Sequence, residues 1–179
     1  DGTLDTDWVP TGFSQPFQVR GLAIQTKGAN AGKLLIAGGT LTVASSSDPN
    51  ANRPVIRLNL DGTIDSTFTL VTQADAGMQI RPRLMELLPD DRFMVVGSGV
   101  ARFEANGALD TGYAQPALST EAFWFSMAPD GSVIVPPEFG TTYNGNPIYS
   151  WLKFDSSGAL DGSFSGPQFQ TASFPDRFA

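Results

Sequence analysis

Asp61-Gly62-Thr63-Ile64-Asp65-Ser66-Thr67-Phe68 decides how this chain is read, because its pattern occurs four times. Asp1-Gly2-Thr3-Leu4-Asp5, Asn106-Gly107-Ala108-Leu109-Asp110 and Ser157-Gly158-Ala159-Leu160-Asp161 are variants of its first five residues. Seven positions after each start stands an aromatic: Trp8, Phe68, Tyr113 and Phe164. The starts at 1, 61, 106 and 157 are 60, 45 and 51 residues apart. Self-similarity at such a period marks a solenoid, a propeller or a similar array. It moves the functional question from a lone active site toward an assembled surface.

The phrase is part of a longer unit. Arg57-Leu58-Asn59, Arg102-Phe103-Glu104 and Lys153-Phe154-Asp155 precede three phrases, each with its basic residue four positions ahead of the start. Polar and apolar residues alternate there, as in a half-buried strand. Asp-Gly and Asn-Gly supply the positive φ angles of a tight hairpin turn, and Ser157-Gly158 is a weaker form of the same signal. Leu or Ile and the aromatic then pack on the far side.

Between phrases lie continuous apolar runs, Leu34-Leu35-Ile36-Ala37, Phe93-Met94-Val95-Val96 and Val133-Ile134-Val135, each following a turn. Such runs suit strands buried on both faces. Further apolar segments precede them at Val19–Ile24, Leu84–Leu88 and Phe123–Met127. About four strand signals per unit is the content of one propeller blade. The expected fold is therefore all-β: a propeller-like array over residues 1–179, with three nearly complete four-stranded blades and partial blades at both ends. Phe174-Pro175-Asp176-Arg177-Phe178-Ala179 matches Leu88–Met94 with one deletion, which reads as the opening of a fourth unit and makes the chain part of a larger propeller.

Composition narrows the function. A net charge of −7 does not make the basic stripe of a nucleic-acid footprint. No apolar run reaches the roughly 20 residues of a membrane-spanning helix. With no cysteine, disulfides and thiolate metal sites are excluded; with no histidine, so are Ser-His-Asp triads and imidazole zinc sites. Gly28-Ala29-Asn30-Ala31-Gly32-Lys33 has the wrong spacing for a phosphate loop, and Leu34 stands where magnesium needs a hydroxyl.

Three candidate chemistries remain. Asp48, Asn50 and Asn52 match the first oxygen positions of a calcium loop, but Arg53 replaces its glycine and Asn59 its bidentate glutamate. A solvated loop is the favoured reading there, and no cofactor is expected. Asp90, Asp91, Glu121, Asp130 and Glu138 are available for glycoside hydrolysis, with no spacing that selects two of them. Phe123-Trp124-Phe125 offers a sugar-stacking platform at Trp124, although core packing is favoured for the cluster. The repeated Asp5, Asp65, Asp110 and Asp161 are expected to cap their turns and to pair with Arg57, Arg102 and Lys153 between blades. Recurrence in every unit is what an architectural role predicts. Leu4, Ile64, Leu109 and Leu160 join the four aromatics as expected packing residues.

Together, the Asp-Gly-x-Leu/Ile-Asp-x-x-aromatic phrase, the Arg-Leu-Asn strand and Gly32-Lys33-Leu34-Leu35-Ile36-Ala37-Gly38-Gly39 resemble the delta-60 repeat β-propeller family. Later units diverge, with Asn106 and Ser157 at the first position and Pro136-Pro137 interrupting the glycine pair. The resemblance implies a propeller of the kind found in large bacterial surface or secreted proteins and in phage-associated proteins. It implies no activity and carries over no functional residue. The expected role is a non-catalytic structural or interaction module, located outside the cell, on the bacterial surface or in a virion. Its expected partners are further blades or protein subunits. A carbohydrate-binding module or a polysaccharide-acting enzyme is the alternative.

Overall fold

The computed structural model describes residues 2–3, 5–13, 17–77, 82–122, 124–136 and 141–167. These build three antiparallel three-stranded sheets, with no α-helix among the described residues. Sheet I consists of β1 (Gln18–Ile24), β2 (Leu34–Leu41) and β3 (Arg53–Leu58). Sheet II is β4 (Leu84–Leu87), β5 (Phe93–Val96) and β6 (Val100–Phe103). Sheet III is β7 (Ser126–Met127), β8 (Val133–Val135) and β11 (Leu152–Phe154). A small hairpin that the sequence reading did not foresee, β9 (Thr142–Tyr143) with β10 (Asn146–Pro147), is inserted ahead of β11. It turns at Asn144-Gly145, both at positive φ. The segment read as apolar at Leu84–Leu88 is a strand, with Leu84–Leu87 paired in full with β5.

The fourth strand of each unit is shorter than expected. The second, third and fourth phrases each touch their sheet through one bridge: Leu58↔Ile64, Phe103↔Leu109 and Phe154↔Leu160. The chain then leaves the ladder, because the following Asp turns it with its own side chain.

The three units are superposable by register alone. Ile24↔Leu34↔Leu58 in sheet I corresponds to Leu87↔Phe93↔Phe103 in sheet II and to Met127↔Val133↔Phe154 in sheet III. Side chains alternate across a strand, so each sheet has one face toward the unit before it and one toward the unit after it. Leu35, Ala37 and Val55 of sheet I thus meet Phe93, Val95, Ala101 and Phe103 of sheet II in one core. Met94, Val96 and Val100 on the other face of sheet II meet Val133, Val135, Leu152 and Phe154 in the next. Phe93 and Phe103 stack at 5.1 Å between centroids. The middle strand of sheet II is buried on both faces, as its unbroken apolar run requires.

The two outermost faces differ from this. Leu22 and Ile24 on β1 are 59% and 60% exposed. The outer half of the same face is covered, with Ile36, Leu41, Val43, Ile56 and Leu58 packed beneath Phe13 and Phe17.

Candidate functional site: a repeated cation, carboxylate and aromatic stack

Each unit closes on side chains at fixed offsets from its phrase. The turn positions the carboxylate first. Its Oδ1 accepts a backbone N–H two residues on: from Thr67 to Asp65 at 2.9 Å, Gly112 to Asp110 at 2.8 Å, and Ser163 to Asp161 at 3.0 Å. Asp5 does the same with Asp7 at 3.0 Å. The other oxygen then faces the third strand of its own sheet. There Arg57 Nε lies 2.8 Å from Asp65, Arg102 Nε 2.7 Å from Asp110, and Lys153 Nζ 3.2 Å from Asp161. These ion pairs form within a sheet, which corrects the expectation that they span two. The reason is local: the third strand and the phrase are bridged neighbours, so residues eight apart face one another.

What spans the seam is the remaining arm of the guanidinium. Arg57 Nη1 donates to Ala105 O at 2.9 Å, and Arg102 Nη1 donates to Ser156 O at 2.6 Å. Both carbonyls stand immediately before the next phrase. Arg57 Cζ also lies 4.9 Å from the Phe68 centroid, and Arg102 Cζ lies 4.6 Å from that of Tyr113. Cation–π attraction there acts in a largely desolvated place, where it is strongest. The rings in turn sit on the glycine of the next turn. A Cβ on Gly107 would fall 2.5 Å from Phe68 Cζ, and one on Gly158 would fall 3.0 Å from that of Tyr113.

Phe68 and Tyr113 are buried, as packing residues should be. Trp8 is 36% exposed and Phe164 only half-buried, so the expected equivalence of all four fails. Trp8 has the next turn beneath it, its Nε1 donating to Leu60 O at 3.0 Å, but no third strand flanks Asp5 among the described residues. Phe164 has its third strand, but no further turn covers it among the described residues. Ile64 and Leu109 are half-buried, Leu160 is 43% exposed, and Leu4 lies outside the described residues.

Electrostatics follow the same gradient. Burial pushes the Asp65 carboxyl up, but hydrogen bonds from Lys33 and Thr67 and the charge of Arg57 outweigh it. The group is held well below the usual carboxylate range. Asp110 is lowered against its own burial by Arg102, the Gly112 N–H and Arg92. Asp161 is lowered by Ser163 and Lys153. Burial raises the Tyr113 hydroxyl well above its ordinary value.

Lys33 and Arg92 were not singled out by sequence reasoning, yet each adds a second cation, at 2.7 Å from Asp65 and 3.1 Å from Asp110. The signal was present, since each directly precedes the buried run of its unit. Asp91 was read only as one of several carboxylates. It is buried at φ 68° and accepts backbone N–H groups from Thr26 at 3.0 Å and Lys27 at 2.7 Å, tying sheets I and II together.

Of the remaining candidates, Asp90 and Asp130 line one cavity beside Arg92 and Arg102. Asp90 pairs with Arg92 at 2.8 Å, Glu121 pairs with Arg83, and Asp130 accepts the Ser132 N–H at 2.9 Å. Glu138 lies outside the described residues. In the Asp48 loop, Asp48 Oδ1 accepts the Asn50 N–H at 3.1 Å, and Arg53 Nη2 donates to Asp48 O at 3.3 Å. A guanidinium on the loop carbonyl and a single carboxylate do not fit a calcium ion. Trp124 is 73% exposed while Phe125 packs into the second core, so core packing holds for Phe125 and fails for Trp124. Phe123 lies outside the described residues.

No helix among the described residues is long and apolar enough to cross a membrane. No curated protein matches the chain. Residues 32–68, which hold β2, β3 and the phrase through Phe68, match the model of a β-propeller family described as a domain of unknown function, DUF5122.

Proposed function

We propose that this chain is a non-catalytic structural and interaction module of the delta-60 repeat kind. It comprises three nearly complete four-stranded blades with partial blades at its ends. It serves in a large bacterial surface or secreted protein, or in a phage tail component, with further blades or protein subunits as partners. One observation carries this reading: Asp65, Asp110 and Asp161 are each consumed by a cation of their own sheet. A residue set repeated in every unit and spent on its neighbours is architecture.

Glycan binding is the second reading, favoured by the exposed ring of Trp124. A glycan array, run with and without calcium, tests both. The scaffold reading expects no saturable binding under either condition. Saturable binding that Trp124→Ala abolishes would replace it with a lectin-like function.

A further inference from the structure

We propose that the cleft between sheets II and III binds a primary carboxamide, the group that a glutamine side chain carries. The inference rests on reading this chain as an interaction module, and it names the chemistry of one contact site.

Three turns of the array share one register. Gln25 N donates to Lys33 O at 3.0 Å, Leu88 N to Arg92 O at 2.7 Å, and Ala128 N to Ser132 O at 2.9 Å. Gly32 N, Asp91 N and Gly131 N return to the carbonyls of Gln25, Leu88 and Ala128 at 2.9, 3.0 and 2.9 Å. Leu88 therefore stands in sheet II where Gln25 stands in sheet I. Gly131 stands in sheet III where Asp91 stands in sheet II.

The seam between sheets I and II shows what this place holds. The Gln25 side chain is fully buried there and bonded on both sides. Its Oε1 accepts from Arg57 Nη1 at 3.0 Å, and its Nε2 donates to Ala105 O at 2.9 Å and to Asp91 O at 3.3 Å. The Asp91 carboxylate closes the same seam on the N–H groups of Thr26 and Lys27.

The seam between sheets II and III keeps the cation and the carbonyls but not the amide. Arg102 repeats Arg57, and its Nη1 donates to Ser156 O as that of Arg57 does to Ala105 O. Leu88 can neither donate nor accept, Gly131 has no side chain, and Pro89, in the place of Thr26, has no N–H. Gly112 likewise stands in the place of Thr67, whose hydroxyl accepts from Arg57 Nη2 at 3.3 Å. What results is a cleft of about 540 Å³, with Leu88, Arg102, Gly131 and Ser156 in its lining.

Charge selects a neutral ligand. Arg92 and Arg102 in the lining are matched there by Asp90 and Asp130, and both guanidinium groups already hold Asp110. No positive charge is left over for an anion. A carboxamide supplies what the register lacks: an acceptor for Arg102, and donors for Ser156 O and Gly131 O. Arg102 is buried, so a hydrogen bond to its charge is strengthened and little contested by water.

The test uses the full chain and ligand-observed saturation transfer, which reads binding whatever the state of assembly. N-acetylglutamine methylamide stands for a side chain within a polypeptide, and free glutamine for a soluble molecule. Saturable binding of at least one is expected, and none of N-acetylmethionine methylamide, which has similar length and no side-chain amide. Preference for the capped probe assigns the amide to a polypeptide; preference for free glutamine assigns it to a small molecule. Leu88→Gln supplies the amide from within the chain and should weaken probe binding on the order of tenfold. Gly131→Asp is the second variant. A Cβ there meets only Ser156 Cβ, at 3.6 Å, and Asp91 shows that the backbone conformation admits Asp. It should close the cleft and weaken binding to a similar degree. Absence of saturable binding by both glutamine probes overturns the proposal, as does equal binding of the methionine probe or binding indifferent to both substitutions. Each of these results is independent of the glycan array, which tests the module reading by itself.

Discussion

At the scale of single residues, Asp65 is the point on which the first seam turns. Its side chain and that of Arg57 are almost wholly excluded from water, so removing one charge strands the other. Asp65→Asn should cost about 3–5 kcal/mol in chemical denaturation. Lys153→Ala breaks a pair that is about a quarter exposed and should cost under about 1 kcal/mol. Equal costs for the two would refute the gradient from seam to edge. Acid should act through the same group. A carboxyl depressed on folding contributes stability above its unfolded pKa of about 3.9, and that contribution is lost as pH falls below it. The melting temperature should therefore be flat from pH 5 to 8 on this account and fall below about pH 4. Asp65→Asn should flatten the acid limb.

At the scale of elements, the seam depends on a ring resting on a turn. Phe68 is buried against Gly107, and Phe68→Ala should destabilise by roughly 3–5 kcal/mol. Gly107→Ala probes the contact from the other side. It adds a Cβ at φ 90°, within 2.5 Å of the ring, and should cost more than Gly145→Ala. Gly145 has φ 77° and open space around it, so its substitution meets only the left-handed backbone penalty of about 1–2 kcal/mol. Thermal melts of the two variants separate backbone strain from the packing clash.

At the scale of the whole molecule, the outer faces decide behaviour. Leu22 and Ile24 at one end and Trp124 at the other are large apolar side chains in water. Units of a repeat array draw much of their stability from neighbours. Residues 1–179 expressed alone should oligomerise, aggregate or melt with low cooperativity. A sharply two-state monomer in sedimentation velocity and calorimetry would mean that these faces are covered by some other arrangement of the chain.

The phrase and its spacing determined the repeat, the turns and the buried middle strands. Asp-Gly and Asn-Gly fix positive φ locally, and a run such as Phe93–Val96 has no polar side to expose. Period and apolar content are properties of consecutive residues, so they can be read without a fold. The partners in the stack were legible as recurring residue types, but not as a geometry. Whether Arg57 meets Asp65 within its sheet or across a seam depends on the bridge between Leu58 and Ile64. Whether Trp8 matches Phe68 depends on what lies above each ring. Tertiary structure alone decided these matters, and with them the exposure of Trp124, the fixing of Asp91 and the open face at Leu22 and Ile24. Burial at a seam is a relation between two sheets, and neither sheet's sequence contains it.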